Sequence, residues 1–154
     1  MRVEKIVSGG QTGADRAALD VALERGLQVG GWVPKGRLAE NGPIPERYAG
    51  LVETESSDPA VRTSLNVRDS DATLIVSHGP LTGGSLLTQE EARRFGKPML
   101  HLDLRETAPV TAAASLRTWL DAAGPRTLNV AGPRASKDAT IFAAVVALLR
   151  SALS

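Results

Sequence analysis

Short aliphatic, β-branched runs alternate with stretches of helical periodicity along this chain, and that alternation constrains the fold more than any other feature. Residues 4–8 carry Ile6 and Val7, are extended by Val3 and run into Gly9 and Gly10, the pattern of a strand entering a tight turn. Residues 14–25 then place Ala18, Leu19, Ala22 and Leu23 on one helical face, with Gly26 as the stop. Further strands are expected over 27–33, 51–54, 98–102 and 127–130. The clearest is 72–77, Ala-Thr-Leu-Ile-Val-Ser, a run apolar enough to be covered on both faces. Asp58 before Pro59 reads as an N-cap with proline in the first turn, opening a helix to about Asp69. Gly83 and Gly84 open another to Phe95, closed by Gly96 and Pro98, and residues 109–123 form an Ala-rich helix ended by Gly124 and Pro125. Ile141, Ala144, Val145, Leu148, Leu149 and Ala152 recur at helical spacing and mark a docked C-terminal helix. The pattern predicts an α/β fold: one domain over residues 1–154, built as a doubly wound, open parallel sheet with helices on both faces. The longest irregular segment is 34–50, and loops of that length are usually functional or disordered.

Composition narrows the function. The 154 residues suit one domain. Lys and Arg number 18 against 17 Asp and Glu, a balance too even for a dedicated nucleic-acid or membrane-surface binder. Aromatics at 3% leave little for base-stacking platforms. The absence of cysteine excludes disulfide scaffolds, zinc–thiolate sites and thiol chemistry. No apolar run approaches the ~20 residues of a membrane span, and the N-terminus lacks a signal-peptide pattern, so a cytoplasmic protein is expected.

In a doubly wound sheet, ligands bind beyond the carboxyl ends of the strands. Four segments there carry unusual residues. The first holds Ser8, Gly9, Gly10, Gln11, Thr12, Gly13 and Asp15. Glycines there let the backbone present N–H groups to an anion at the next helix N-terminus. The spacing of Ser8, Gly10 and Gly13 matches a dinucleotide fingerprint with serine at the first glycine position. The second strand, however, ends in Val33-Pro34-Lys35, without the acidic residue that holds a ribose, and no Gly-Lys-Ser/Thr of a P-loop follows. The second segment is another glycine turn, Thr82, Gly83, Gly84 and Ser85, with Thr88 beyond it. The third carries Arg134, Ser136 and Lys137, where a guanidinium suits phosphate. The fourth is the long loop with Lys35, Gly36, Arg37, Glu40, Asn41, Arg47 and Tyr48, a lid, a specificity loop or a plain surface excursion. Ordinary structural roles compete throughout, since hydroxyls cap helices and surface cations are often merely solvated. Asp15, Glu90 and Glu91 are the acid–base candidates, although a carboxylate near a helix start often serves only the dipole. His78 and His101 end strands and read as structural. Asn66, Arg68, Asp69 and Asp71 suit side-chain hydrogen bonds that hold loops.

Several blocks resemble a known family. The opening from Lys5 through Gly9, Gly10, Gly13 and Asp15 to Asp20 is similar to that of the molybdenum carrier (molybdenum cofactor carrier) proteins. So are Gly31 to Arg37, Gly42 to Tyr48, Arg62-Thr63 with Asn66 to Asp71, Thr82 to Ser85, and Leu128 to Lys137. The resemblance spans nearly the whole chain. It implies a Rossmann-like fold of the group that holds lysine-decarboxylase-like phosphoribohydrolases and DNA-processing protein A. It further implies a homo-oligomer, dimer or tetramer, that binds molybdenum cofactor or a related phosphorylated, nucleotide-like ligand. The phosphoribohydrolase motif is two glycines, any residue, glycine, threonine, two residues and glutamate. Here Leu86 takes the third glycine's place, Thr88 comes one residue late, and Glu90 keeps roughly the catalytic spacing.

The sequence therefore points to a small-molecule carrier without a catalytic residue or metal site of its own. Its expected phosphate and ligand contacts are Gly9, Gly10, Gln11, Thr12, Gly13, Lys35, Thr82, Gly83, Gly84, Ser85, Arg134 and Ser136. The alternatives are a nucleoside 5′-monophosphate phosphoribohydrolase using Glu90 or Glu91, and a nucleotide-sensing module. Without cysteine, any molybdenum must ride on the ligand's own dithiolene or bind as an oxyanion.

Overall fold

The run Ala72–Ser77 forms β6, buried at every position. Ala72, Leu74 and Val76 join the main core, while Thr73, Ile75 and Ser77 alternate to the opposite face, so the strand must be covered on both sides. The computed structural model describes residues 2–153. In chain order its elements are β1 (Lys5–Val7), α1 (Ala14–Glu24), β2 (Gln28–Val33), β3 (Leu38–Ala39), β4 (Gly42–Pro43), β5 (Leu51–Glu53) and α2 (Pro59–Arg68). After β6 come α3 (Gly83–Arg94), β7 (Met99–Asp103), α4 (Pro109–Ala123), β8 (Thr127–Ala131) and α5 (Ile141–Ala152).

Six strands form one parallel sheet in the order β5-β2-β1-β8-β6-β7, a Rossmann-like α/β fold. Ile6 is registered between Val29 and Leu128, and Leu74 between Val130 and Leu100. The chain winds outward from β1 to β2 and β5, crosses to β6 and β7, and returns to insert β8 between β1 and β6. That reversal opens a crevice beyond the carboxyl ends of β1, β8 and β6.

One face carries α1, α4 and α5. The small residues Ala14, Ala17, Ala18 and Ala22 let α1 approach closely, and α5 meets it with Ile141, Val145, Leu148 and Leu149. The other face carries α2 and α3, packed side by side against β2 and β6.

Residues 34–50 are ordered rather than irregular. They contain the β3–β4 hairpin, with Glu40 and Asn41 at its two-residue tip. Ile44 and the fully buried Tyr48 pack on Leu19 and Val33 in a second small core. The Tyr48 hydroxyl donates to Asp20 at 2.6 Å. Among the described residues, no helix is long and apolar enough to cross a membrane.

Candidate functional site

The crevice is an open cleft of about 780 Å³. Its wall includes the turns after β1, β6 and β8, the start of α3 and one face of α2. Four cations line it, Arg62, Arg105, Arg134 and Lys137, against the two carboxylates Asp15 and Asp138. The cleft therefore favours an anionic occupant.

The two glycine turns behave differently. After β1, Gln11 N–H is taken by Asp15 Oδ2 at 3.2 Å, Thr12 N–H by Gln11 Oε1 at 3.0 Å, and Ala14 N–H by the Pro133 carbonyl at 3.2 Å. Even Gly10 N–H leans on Ser8 Oγ at 3.4 Å. This turn spends its donors internally. At α3, by contrast, no side chain caps the helix, and Gly83 and Gly84 are exposed on the cleft wall. Their N–H groups precede the first α-helical hydrogen bonds, so this helix end keeps the positive character that attracts an anion.

Asp15 is the acid the cleft contains. Burial pushes its carboxyl up to about 6, against the pull of the Arg62 guanidinium and the Gln11 N–H. Arg62 itself donates to the Gly9 carbonyl at 2.8 Å, which fixes it over the turn. Across the cleft, His78 Nδ1–H donates to Asp138 Oδ2 at 2.6 Å, and Asp138 Oδ1 accepts the Thr140 N–H at 3.0 Å. Burial works against ionisation of Asp138, and the hydrogen bonds from His78 and Thr140 outweigh it and hold the carboxyl below its usual range. Behind this wall, Ser77 Oγ–H donates to the Gly79 carbonyl at 2.6 Å and lies 2.7 Å from His101 Nε2. Burial lowers the His101 pKa, so the neutral ring donates through Nε2–H and the serine is held as a structural link. Asp103 ties the next turn by accepting Gly79 N–H at 2.7 Å and Arg105 N–H at 2.9 Å, and those bonds keep its carboxyl ionised.

Of the residues singled out in the sequence, Gly9, Gln11, Thr82, Gly83, Gly84, Ser85 and Arg134 meet on the cleft wall. Gly10, Thr12, Gly13, Lys35 and Ser136 lie outside the lining. Gly13 faces the Pro133 carbonyl, Gly10 faces Ile44, and Lys35 is exposed at the end of β2, its N–H on the Ser56 carbonyl. Thr12 and Ser136 both bind the Glu40 carboxylate. Glu90 is exposed and Glu91 pairs with Arg94 at 2.5 Å, and neither lines the cleft.

Arg62, Arg105 and Asn129 line the cleft without having stood out as ligand contacts. One signal was present for α2: Pro59, Arg62, Thr63 and Asn66 recur at i, i+3, i+4 and i+7, a polar helical face turned to the site. Asn66 works mostly as a clamp. It accepts Trp32 N–H at 2.7 Å and donates to the Trp32 carbonyl at 3.0 Å.

A model of the circularly permutated YpsA SLOG family matches residues 6–153. Among solved structures, the chain is similar to a crystal structure from Syntrophus aciditrophicus SB described as a "putative molybdenum carrier protein". The two share 51% identity over 99% of this chain and 96% of that one, with a TM-score of 0.97. No curated protein matches the chain.

Proposed function

This chain belongs to the circularly permutated YpsA SLOG family, and we propose that its cleft is the binding site of a carrier for molybdenum cofactor or a related phosphorylated, nucleotide-like ligand. One observation carries the reading: the uncapped, glycine-opened N-terminus of α3 lies on the wall of a cleft whose cations outnumber its carboxylates. The name of the 51% identical structure supports molybdenum as part of the cargo. The volume lies within the ~300–1,000 Å³ typical of small-molecule sites. A phosphate on Gly83 and Gly84, met by Arg105 or Arg134, gains roughly 1.5–3 kcal/mol per charged hydrogen bond, and several such bonds support micromolar affinity after association costs. With no cysteine thiolate in the chain to ligate it, molybdenum would arrive within its ligand or as an oxyanion.

Mass spectrometry of what co-purifies with the native protein tests this reading directly. A phosphorylated pterin or nucleotide is the expected finding. Calorimetry that detects neither molybdenum cofactor nor nucleotide binding would refute it. The homo-oligomer and the cytoplasmic location implied above are part of the same proposal, the first checked by light scattering and the second by fractionation.

Asp15 favours a second reading. A buried carboxyl with a pKa of about 6 in an anion-binding cleft has the properties of a general base for attack of water on an N-glycosidic carbon. Glu90 and Glu91 have no such placement. Incubation with AMP and chromatography for free adenine separates the two readings. Release of adenine that stops in Asp15→Asn supports hydrolysis, and its absence from the wild type leaves the carrier.

A further inference from the structure

The tip of the β3–β4 hairpin rests on the rim of the cleft. There the Glu40 carboxylate accepts Ser136 Oγ–H at 2.5 Å, Ser136 N–H at 3.1 Å and the Thr12 hydroxyl, with Arg134 Nε at 3.5 Å. Thr12 Oγ in turn accepts Ala135 N–H at 3.1 Å, and Gln11 Oε1 accepts Glu40 N–H at 2.9 Å. Two hydroxyls, a main-chain N–H and a guanidinium converging on a pair of oxygens are the donors an oxyanion requires. In this protein the chain's own carboxylate fills the seat. Gln11 and Arg134 belong both to the seat and to the cleft wall, so the two are contiguous.

We propose that Glu40 is a displaceable latch: a phosphate group entering the cleft takes Ser136 and Arg134 from it and frees the hairpin tip from the rim. This rests on the anion-binding reading of the cleft and adds a control of access to it. The packing of the hairpin supports release rather than a permanent strut. Leu38 is 59% exposed, and of the β3 and β4 residues only Ala39 touches the small core. The other tip contact is a single polar one, Arg16 Nη2 to Asn41 Oδ1 at 3.2 Å. Ile44 and Tyr48 stay anchored downstream, which confines the motion to the tip. The hydrogen bonds from Ser136 and Thr12 hold the Glu40 carboxyl below its usual range, so it competes as an anion at neutral pH.

The test uses the full chain, its Glu40→Ala and Glu40→Gln variants, and inorganic phosphate and AMP as probes. Removing an internal competitor raises apparent affinity by the inverse of the open fraction, so Glu40→Ala should bind phosphate about tenfold more tightly than the wild type. Glu40→Gln, which keeps the shape and loses the charge, should move in the same direction even if the alanine variant folds poorly. In the wild type, saturating phosphate should speed cleavage by a glutamate-specific protease after Glu40 roughly threefold relative to cleavage after Glu106. Phosphate bound no more tightly by either variant, or an unchanged Glu40 cleavage rate, overturns the latch. AMP bound equally by all three proteins overturns the latch and leaves the cleft reading standing. Failure of all three to bind either probe overturns both.

Discussion

Gly13 and Gly26 share a positive φ and have opposite surroundings, which lets them show what collision adds to backbone strain. Their φ angles are +80° and +72°. A Cβ at Gly26 would meet nothing within 4 Å, whereas one at Gly13 would sit 2.5 Å from the Pro133 carbonyl oxygen and 2.9 Å from Ala135 N. Both obstacles are main chain and cannot rotate away. A positive φ costs an alanine about 1–2 kcal/mol at Gly26, and at Gly13, where ψ is −128°, it costs about 1–3 kcal/mol because only glycine adopts that conformation freely. Overpacking adds about 1–3 kcal/mol at Gly13 alone. Gly26→Ala should therefore lose about 1 kcal/mol and Gly13→Ala about 3 kcal/mol. At roughly 2–4 °C per kcal/mol in a domain of this size, the melting points should fall by about 3 °C and about 9 °C. Urea titration with unchanged slopes would confirm that stability, rather than compactness of the unfolded chain, has moved. The collision also pushes the Pro133–Ala135 turn, where Arg134 projects to the cleft, so Gly13→Ala should weaken AMP binding and Gly26→Ala should not. Equal losses of stability in the two variants would refute the argument that Gly13 is a packing glycine.

Three further outcomes follow from the same contacts. Folding raises the Asp15 pKa from 3.8 to about 6, so the native state holds a proton the unfolded chain releases, and stability falls as pH rises across that window. Asp15→Asn should remove the penalty, about 3 kcal/mol at most, giving a variant more stable than wild type at pH 8 and not at pH 4 in urea titrations. Asn66→Ala leaves the Trp32 N–H and carbonyl without their partner and should cost about 2 kcal/mol in the same assay, with Asn66→Asp failing to restore it because a carboxylate cannot donate to the carbonyl. Arg105→Ala removes a cation from the cleft without touching the core, so calorimetry should show AMP affinity lowered about tenfold or more with the melting point little changed.

The parallel sheet was legible because its signal is redundant. Most strands are short apolar runs, α1 to α4 each have a cap, a proline or a glycine at an end, α5 shows a helical apolar period, and β6 is apolar at four of its six positions. The segment 34–50 was not legible as ordered structure. Its strands are two residues long, and its anchors, Ile44 and Tyr48, have no periodicity to show which core they join. The site was legible by region and not by atom. A glycine in the sequence announces a backbone conformation or a close approach and is silent about where the neighbouring N–H groups point. The turn after β1 and the turn opening α3 therefore look alike as sequence. They part only when the side chains are placed: Asp15 and Gln11 take the Gln11 and Thr12 N–H groups of the first, and no side chain caps the second. The same holds for Glu40. Nothing in its local sequence distinguishes it from a solvated loop glutamate, and its meaning comes from Thr12 and Ser136, which the winding of the sheet brings to it from both ends of the chain. If the anion seat of this cleft is to be found, it should lie where main-chain donors remain unspent, at α3, and where the occupant is the chain's own and can be exchanged, under the hairpin tip.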